Sequence, residues 1–423
     1  MTVSLYMIEN EMGEVRFYAY TAGPLAAIIA PFITGFIADR FFNTERVLGV
    51  LFMVAGLLLC LLPCLGAMSA NDVVGEDGMV LSSVIELFGS EFVKGEVFNM
   101  ILLLHMICFM PTLALTASYS FRMLKGGSER FPIARLWGTL GWIAAGFVLA
   151  ICFTESSVDE SGLVKTIEAG TKSVQFYLGG AAGIILGLYC FFLPASPAPM
   201  KGKPVSLRDL FFVDAWAQLK NRSYAVYIVC SFLLCIPLAA YYASLQQQMF
   251  AMGMTDISIW KNTGTWIEAG MMFAMPFFLR KLGVKKMIMI GIAAWIVRYV
   301  MFSLGATTEY YGIILVVGGI ALHGFCYDFF FVTGQIYVDR STPENIRGQA
   351  QGMNVFFTQG LGMFVGAIVT QKLAGRAFGD QMSHLPESLS SWPGLWWPLA
   401  AFSVGVLFVF WMFFKDEVKT KGE

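Results

Sequence analysis

The chain has 423 residues, of which 57% are hydrophobic and only 13% carry a formal charge. Soluble domains carry about 25% charged residues, so this composition excludes an ordinary water-soluble protein and indicates a membrane protein. The formal net charge of −1 gives no reason to expect nucleic acid as a partner. The eight cysteines lie in apolar stretches without the further ligands of a zinc site, so we expect no metal.

The apolar stretches of the chain predict its transmembrane helices. A helix that crosses a membrane needs about 20 mostly apolar residues. Such stretches lie near residues 17–38, 47–68, 97–121, 133–153, 174–194, 223–247, 260–279, 286–304, 310–338, 348–370 and 393–414. We therefore predict an all-α polytopic membrane protein with about eleven transmembrane helices.

The loops between these stretches alternate in charge. Loops 69–96 and 154–173 are acidic, whereas Lys and Arg dominate the loops before and after them. Because cytoplasmic loops carry an excess of Lys and Arg, the pattern places the C-terminus in the cytoplasm. We predict a multi-pass protein of the cell membrane, and the odd number of helices puts the N-terminus outside.

A segment rich in Pro and Gly divides the predicted helices into two groups. It begins near residue 195 and continues into LRDLFFVDAWAQLK, which reads as a surface helix. We predict an N-terminal lobe at 1–194, a cytoplasmic linker at 195–222, a C-terminal lobe at 223–414 and a cytoplasmic tail at 415–423. Two helical halves joined by a central loop are typical of transporters built from repeats.

Three charged residues lie inside apolar stretches. Asp328 is the only formal charge between Tyr310 and Val338, Glu268 lies in TWIEAGMMFAMPFFL, and Arg135 lies near the start of IARLWGTLGWIAAGFVLAICF. A carboxylate at the centre of a membrane helix costs roughly 3 kcal/mol on insertion scales. Such residues are kept where they face a bundle interior or a wet cavity, which favours a transporter.

A further motif, GFIADRFFNTER, follows the first apolar stretch. Gly35 permits a close helix contact, and Asp39 and Arg40 lie at the cytoplasmic end of the span. We interpret these three residues as a gating loop in which the acid bridges to a neighbouring helix. An ordinary basic loop is the alternative interpretation.

Several motifs together closely resemble the nucleoside:proton symporter family of the major facilitator superfamily. They are FMPTLALTASYSF at 109–121, FPIARLWGTLGWI at 131–143, TWIEAGMMFAMPFF from Thr265, HGFCYDFFFVTGQIYVD at 323–339 and RGQAQGMN at 347–354. The resemblance covers the chain from about residue 5 onward. It implies a two-lobed helical bundle that works by alternating access, as a monomer in the lipid bilayer, on a small-molecule substrate.

The same resemblance bears on the number of helices. Members of the family have twelve helices with both ends in the cytoplasm, so the first helix is missing or truncated in this chain. We expect a misassigned start; an inactive fragment is the alternative.

The resemblance also implies a nucleoside pocket between the two lobes, with the proton as coupling ion and no cofactor. The residues that match its positions are Arg135, Thr139, Trp142, Thr265, Glu268, His323, Tyr327 and Asp328. Trp142 stands where the family commonly has Phe, Thr265 where a base-contacting Gln is found, and His323 where Tyr also occurs. The contact with the base, and hence the choice of purine or pyrimidine, can therefore differ.

The chemistry of these residue types agrees with such roles. Ribose hydroxyls suit carboxylates and Arg, and a flat base suits an aromatic face. Removal from water favours the neutral form of a carboxylic acid, so an acid in a span can bind and release a proton. We expect Asp328 and Glu268 to couple transport to the proton gradient.

Other interpretations of these residues and of the substrate are open. Arg135 could extend its charge to the membrane surface or form a static ion pair with Glu268. We interpret Arg298 as the partner of an acid or as a side chain that reaches the surface. A sugar or polyol transporter of the same superfamily is the alternative function. An enzyme is not expected, because the sequence shows no nucleophile–base pair and no metal cluster.

Overall fold

The computed structural model describes the chain over residues 3, 6–7, 10, 12, 16–68, 71–74, 80–87, 89–124, 130–153, 155–158, 164–167, 172–198, 213–254, 257–378 and 389–416. The chain divides into two compact units. The first unit is Met1–Tyr119 with Ala144–Pro204, and the second unit is Ser120–Ile143 with Val205–Glu423. Arg135 therefore belongs to the same unit as Glu268 and Asp328. The domain boundaries at 194 and 222 stay a prediction.

Helices make up most of the described chain, and most of them are long. In the first half they are α1 (Arg16–Arg40), α2 (Thr44–Gly66), α3 (Lys94–Met123), α4 (Phe131–Phe153) and α5 (Val174–Cys190). In the second half they are α6 (Val213–Ala217), α7 (Arg222–Ala251), α8 (Ile257–Leu304), α9 (Tyr310–Ala321), α10 (His323–Tyr327), α11 (Thr333–Ser341), α12 (Arg347–Val355), α13 (Met363–Phe378) and α14 (Trp392–Phe413). The predicted helical membrane protein is confirmed.

Eight helices among the described residues are long and apolar enough to cross a membrane. The segment Thr21–Ala30 within α1, and the helix α5 at Val174–Cys190, are also apolar but shorter. The 48-residue helix α8 contains a non-helical residue, Gly283, with φ 72° and ψ 171°. The two stretches predicted at 260–279 and 286–304 lie on either side of this break. The total of eleven transmembrane helices stays a prediction.

Two short antiparallel sheets lie in the acidic loops of the first unit, where the sequence predicted loops alone. Strands β1 (Asn71–Val74), β2 (Val80–Leu87) and β3 (Ser90–Val93) form one, and β4 (Glu155–Val158) and β5 (Val164–Ile167) form the other. In the first sheet Leu87 pairs with Ser90, and Gly89 between them has φ 77°. A positive φ suits glycine, which lets the chain reverse within two residues.

Helices α2 and α5 pack closely in the first unit because glycines line their contact. A Cβ at Gly56 would lie 2.6 Å from the carbonyl oxygen of Gly180, and one at Gly187 would lie 2.7 Å from that of Gly49. Real side chains do not tolerate such distances, so the two backbones touch only through these small residues.

Two predicted features lie partly outside the described residues. Gly35, Asp39 and Arg40 belong to α1, and nothing of their side chains is described. The predicted surface helix over 207–220 is described only from Val213 onward, where α6 is followed by a short 3-10 turn, Gln218–Lys220.

Buried tryptophans and a buried amide fix the position of α8 in the second unit. Trp295 and Trp396 are fully buried, and the indole Nε1 of Trp396 donates a hydrogen bond to Gln248 Oε1 at 2.8 Å. The amide Nε2 of Gln248 donates to the carbonyl oxygen of Phe302, also at 2.8 Å. This network holds α7, α8 and α14 together beside the charged residues described next.

Candidate substrate and proton site

Two glycines bring α8 against α9 and α10 at the place where Glu268 lies. A Cβ at Gly324 would be 3.0 Å from Glu268 Cα, and one at Gly264 would be 2.9 Å from the carbonyl oxygen of Ile320 and 3.2 Å from His323 Cβ. Larger residues at either position would separate the helices. The close approach puts the carboxylate of Glu268 beside the imidazole of His323.

Both carboxylate oxygens of Glu268 lie near polar groups from other helices. The Thr139 hydroxyl on α4 donates a hydrogen bond to Oε1 at 3.0 Å. The Nε2 atom of His323 lies 3.6 Å from Oε2, which is longer than a hydrogen bond but close enough for electrostatic interaction. Glu268 is only 8% exposed, so these neighbours replace water around its charge.

Arg135 is the positive charge of this group. Its guanidinium lies within electrostatic range of the Tyr327 hydroxyl and of the carboxyl groups of Glu268 and Asp328. Among the described residues there is no ion pair between Arg135 and Glu268 within 4.0 Å. The guanidinium therefore interacts electrostatically with several groups and does not form a close ion pair with Glu268 in the described structure.

Asp328 is fully buried and begins a π-helical turn, Asp328–Val332, between α10 and α11. Neither of its carboxyl oxygens has a hydrogen-bond partner in the described part of the structure. Its backbone carbonyl accepts a hydrogen bond from the Thr333 hydroxyl at 3.2 Å. A π turn inside a helix is rare and occurs frequently at functional sites.

Three aromatic rings stack beside the acids. The ring of His323 lies between those of Tyr241 and Tyr327, with centroids 5.7 Å apart on each side and interplanar angles of 23° and 26°. Tyr241, on α7, was not among the predicted site residues. The stack fixes the plane of the imidazole next to Glu268.

Two of the predicted residues make no described contact with this group. Trp142 is 73% exposed, and neither Trp142 nor Thr265 has a hydrogen bond or ring contact with the other site residues in the described structure. The remaining six, namely Arg135, Thr139, Glu268, His323, Tyr327 and Asp328, are brought together. We call these six residues and Tyr241 the acid–aromatic cluster.

Arg298 is a neighbour of this cluster that the sequence interpretation placed wrongly. It is fully buried and has no acidic partner within 4.0 Å among the described residues. Its Nε donates to the carbonyl oxygen of Gly319 at 2.9 Å, and its Nη2 lies 3.1 Å from His323 Nδ1. The carbonyls that the guanidinium contacts belong to the last turn of α9, where a cation is favourable. The sequence did offer one sign, the stretch GGIALHG at 318–324, whose glycines favour an interrupted helix with carbonyls that a cation can bind.

The chain has helices of membrane-spanning length, and buried acids, an arginine and stacked rings lie among them. This combination defines a polytopic transporter of small molecules. The chain belongs to the nucleoside H+ symporter family, whose model matches residues 67–419. The resemblance seen in the sequence is confirmed, and proton-coupled nucleoside transport is the function of the chain.

Individual relatives match nearly the whole chain. YegT of Escherichia coli strain K12, inferred to be a nucleoside transporter, is 31% identical over 405 residues, which cover 96% of this chain and 86% of YegT. The nucleoside permease NupG of the same organism is 27% identical over 411 residues, covering 94% and 86%.

Solved structures share the fold. A crystal structure of a mutant of the nucleoside transporter NupG has a TM-score of 0.66 at 24% identity, covering 98% of this chain and 94% of that one. The proton:xylose symporter XylE, of the major facilitator superfamily, has a TM-score of 0.61 at 14% identity, covering 97% and 89%. The predicted major facilitator fold is therefore confirmed.

Proposed function

We propose that this transporter binds its nucleoside at the acid–aromatic cluster and carries the coupled proton on Asp328. The observation that carries the proposal is the buried carboxyl group of Asp328, which has no hydrogen-bond partner among the described residues. It lies within electrostatic reach of Glu268 and Arg135, the groups best suited to bind substrate. Substrate binding and proton binding can therefore influence each other directly.

The cluster supports recognition of the sugar better than recognition of the base. Glu268 can accept hydrogen bonds from ribose hydroxyls, and Arg135 and Thr139 add donors beside it. Tyr327 and the exposed indole of Trp142 offer faces on which a base could stack. Thr265 is too short to replace an amide that reaches the base, which leaves base selectivity to shape and stacking.

The surroundings of Asp328 suit a group that is charged during only part of the cycle. An ionised carboxylate that is buried without partners costs several kcal/mol, so the neutral acid is the stable form in this arrangement. Movement that admits water or brings Arg135 closer would release the proton. Glu268 already has a donor at 3.0 Å and can keep its charge for the substrate.

The remaining parts of the proposal follow from the family and from the loop charges. The protein acts as a monomer in the lipid bilayer of the cell membrane, with a cytoplasmic C-terminus and with the proton as its coupling ion. It is a transporter rather than an enzyme. Alternating access exposes the site to each side in turn, and Gly35, Asp39 and Arg40 form a cytoplasmic gate.

The test replaces Asp328 by Asn, which keeps the shape of the side chain but cannot bind a proton at neutral pH. In vesicles with an inward proton gradient, Asp328→Asn should lose accumulation of labelled uridine. It should keep binding and exchange of uridine, because the rest of the cluster is intact. Glu309→Gln removes an exposed acid outside the cluster and should transport normally. Full gradient-driven accumulation by Asp328→Asn would show that the proton travels on another group, with Glu268 next in line.

A competition experiment tests the substrate class. Unlabelled uridine and adenosine should inhibit the uptake of labelled uridine more strongly than glucose or xylose does, because Glu268 and the aromatic rings recognise ribose and base together. Inhibition by a sugar without inhibition by nucleosides would establish a sugar transporter on the same fold.

A further inference from the structure

The guanidinium of Arg298 is surrounded by hydrogen-bond acceptors. The guanidinium donates to the carbonyl oxygens of Gly319 at 2.9 Å and of Ile320 at 3.5 Å, and Nη2 lies 3.1 Å from His323 Nδ1. Its charge is also supported by the Tyr241 ring, whose centroid lies 4.5 Å from the guanidinium carbon. The side chain is fully buried, so these contacts hold it in one place.

The contact with His323 has only one chemically possible direction. A guanidinium has five N–H donors, no acceptor, and does not lose its proton in proteins. The Nδ1 atom of His323 must therefore accept, which requires its lone pair to be free. The proton of the neutral imidazole is then on Nε2, because each neutral ring carries one proton.

This assignment decides what His323 presents to the site. Nε2 is the ring nitrogen that lies 3.6 Å from Glu268 Oε2, so an N–H donor stands beside a carboxylate acceptor. A sugar hydroxyl donates one hydrogen bond and accepts others, so it can join both groups. With the proton on Nδ1, the Nε2 lone pair would face the carboxylate and compete for the same hydroxyl proton.

We propose that Arg298 is a positioning residue that locks His323 in the neutral form protonated at Nε2. Arg298 holds Nδ1 as an acceptor, and the flanking rings of Tyr241 and Tyr327 fix the imidazole plane. His323 then donates to the substrate and does not carry the coupled proton. This inference rests on the proposed substrate role of Glu268, but the state of His323 can be measured without transport.

The first experiment reads the protonation of the ring directly. The chain has three histidines, so protein labelled with 15N-histidine and studied by solid-state NMR in lipid at neutral pH gives few signals. The His323 signals are assigned as those lost in His323→Gln. A deprotonated Nδ1 and a protonated Nε2 are expected in the unmodified chain. A protonated Nδ1 would overturn the proposal, whatever the result of any uptake assay.

Variants of Arg298 test the cause of this state. Arg298→Met removes all donors and should shift His323 toward protonation at Nδ1, whereas Arg280→Met, an exposed arginine on the same helix, should leave the signals unchanged. If Arg298→Met does not fold, Arg298→Lys, which keeps a charge and a donor, replaces it and should give a mixture of states. Unchanged His323 signals in the folded variant would overturn the role of Arg298.

Uptake kinetics then show whether Arg298 acts through His323. In Arg298→Met the KM for labelled uridine should rise about tenfold, the effect of losing roughly one good hydrogen bond. In a His323→Gln background the same substitution should change KM by less than about twofold. Equal effects in both backgrounds would overturn action through His323. Absence of nucleoside uptake in every form, with the expected NMR signals, would instead count against the proposed function.

Discussion

Each buried ionisable residue of the second unit has its own chemical surroundings. Glu268 has a hydroxyl donor at 3.0 Å. Arg298 has backbone carbonyls and a ring, although its Nη1 has no partner among the described residues. Asp328 has no partner for either oxygen in the same part of the chain. Burial costs little for a group whose partners satisfy it and much for a charge without partners. These differences separate a group that can remain charged from one suited to exchange a proton.

The hydrogen bond from Thr139 to Glu268 gives a prediction at this scale. Thr139→Val keeps the size of the side chain but removes the hydroxyl, so Oε1 of Glu268 loses its one close donor among the described residues. Uridine binding should weaken roughly fivefold, which corresponds to about 1 kcal/mol. Equilibrium binding of labelled uridine to purified protein measures this change. Thr139→Ser keeps a hydroxyl and should bind nearly as the unmodified chain does, and wild-type affinity in Thr139→Val would contradict the prediction.

The sequence predicted the site residues whose charge is unfavourable inside a membrane. Charges in apolar stretches pointed to Arg135, Glu268 and Asp328, and the structure brings all three into one group. Tyr241 and the true partners of Arg298 were missed, because ring stacking and bonds to backbone carbonyls depend on how helices cross. No periodicity in the sequence reports those contacts.

At the scale of elements, small residues decide where the helices approach each other. Gly264 and Gly324 face each other's helices near Glu268, and a Cβ at Gly324 would lie 2.9 Å from Met271 Cγ and 3.0 Å from Glu268 Cα. The position of the carboxylate therefore depends on the absence of a side chain on the next helix. The site is built as much by these two glycines as by its charged residues.

Gly324→Ala should disturb the site without removing any polar group. Because the added methyl group meets backbone atoms of α8, the helices must separate, at a cost of about 1–3 kcal/mol. We expect a lower melting temperature and weaker uridine binding, measured on the same purified sample.

Gly270→Ala is the matched control for this change. Gly270 lies on α8 near the same crossing, but a Cβ there meets nothing within 4 Å. Alanine also has the higher helix propensity, so this variant should be at least as stable as the unmodified chain. Equal melting temperatures and affinities for both variants would show that the crossing tolerates a methyl group at position 324.

Sequence patterns predicted the existence of these elements better than their interruptions. Apolar length gave the positions of the long helices, because a bilayer requires about 20 apolar residues whatever the tertiary structure. The two separate apolar stretches at 260–279 and 286–304 anticipated the break at Gly283. The end of α9 before Leu322 and the π turn at Asp328 were not predicted. Such irregular turns depend on how neighbouring helices pack, which apolar length does not encode.

At the scale of the whole molecule, acidic and basic residues are concentrated in different loops. Basic residues concentrate in alternate loops, while acidic residues occupy the loops that form the sheets, including Glu86 directly opposite Glu91. Like charges facing each other weaken a sheet, so this pair does not serve the stability of the sheet. Loops poor in Lys and Arg are expected on the outer side, because the positive-inside rule concerns the distribution of those two residues.

This charge pattern predicts the orientation of the chain in the membrane. The end of α14, just before the C-terminus, contacts the basic segment that follows the break at Gly283 in α8. There Lys285 Nζ donates a hydrogen bond to the carbonyl oxygen of Trp411 at 3.0 Å. Both segments should therefore lie on the cytoplasmic side. Green fluorescent protein fused after the last residue should fluoresce, and alkaline phosphatase at the same place should be inactive, when the chain is expressed in Escherichia coli. Alkaline phosphatase fused within the acidic loop at 159–163 should be active, because that loop should face the periplasm. Phosphatase activity at the C-terminus with none in the acidic loop would reverse the topology and, with it, the side on which Asp39 and Arg40 could act as a gate.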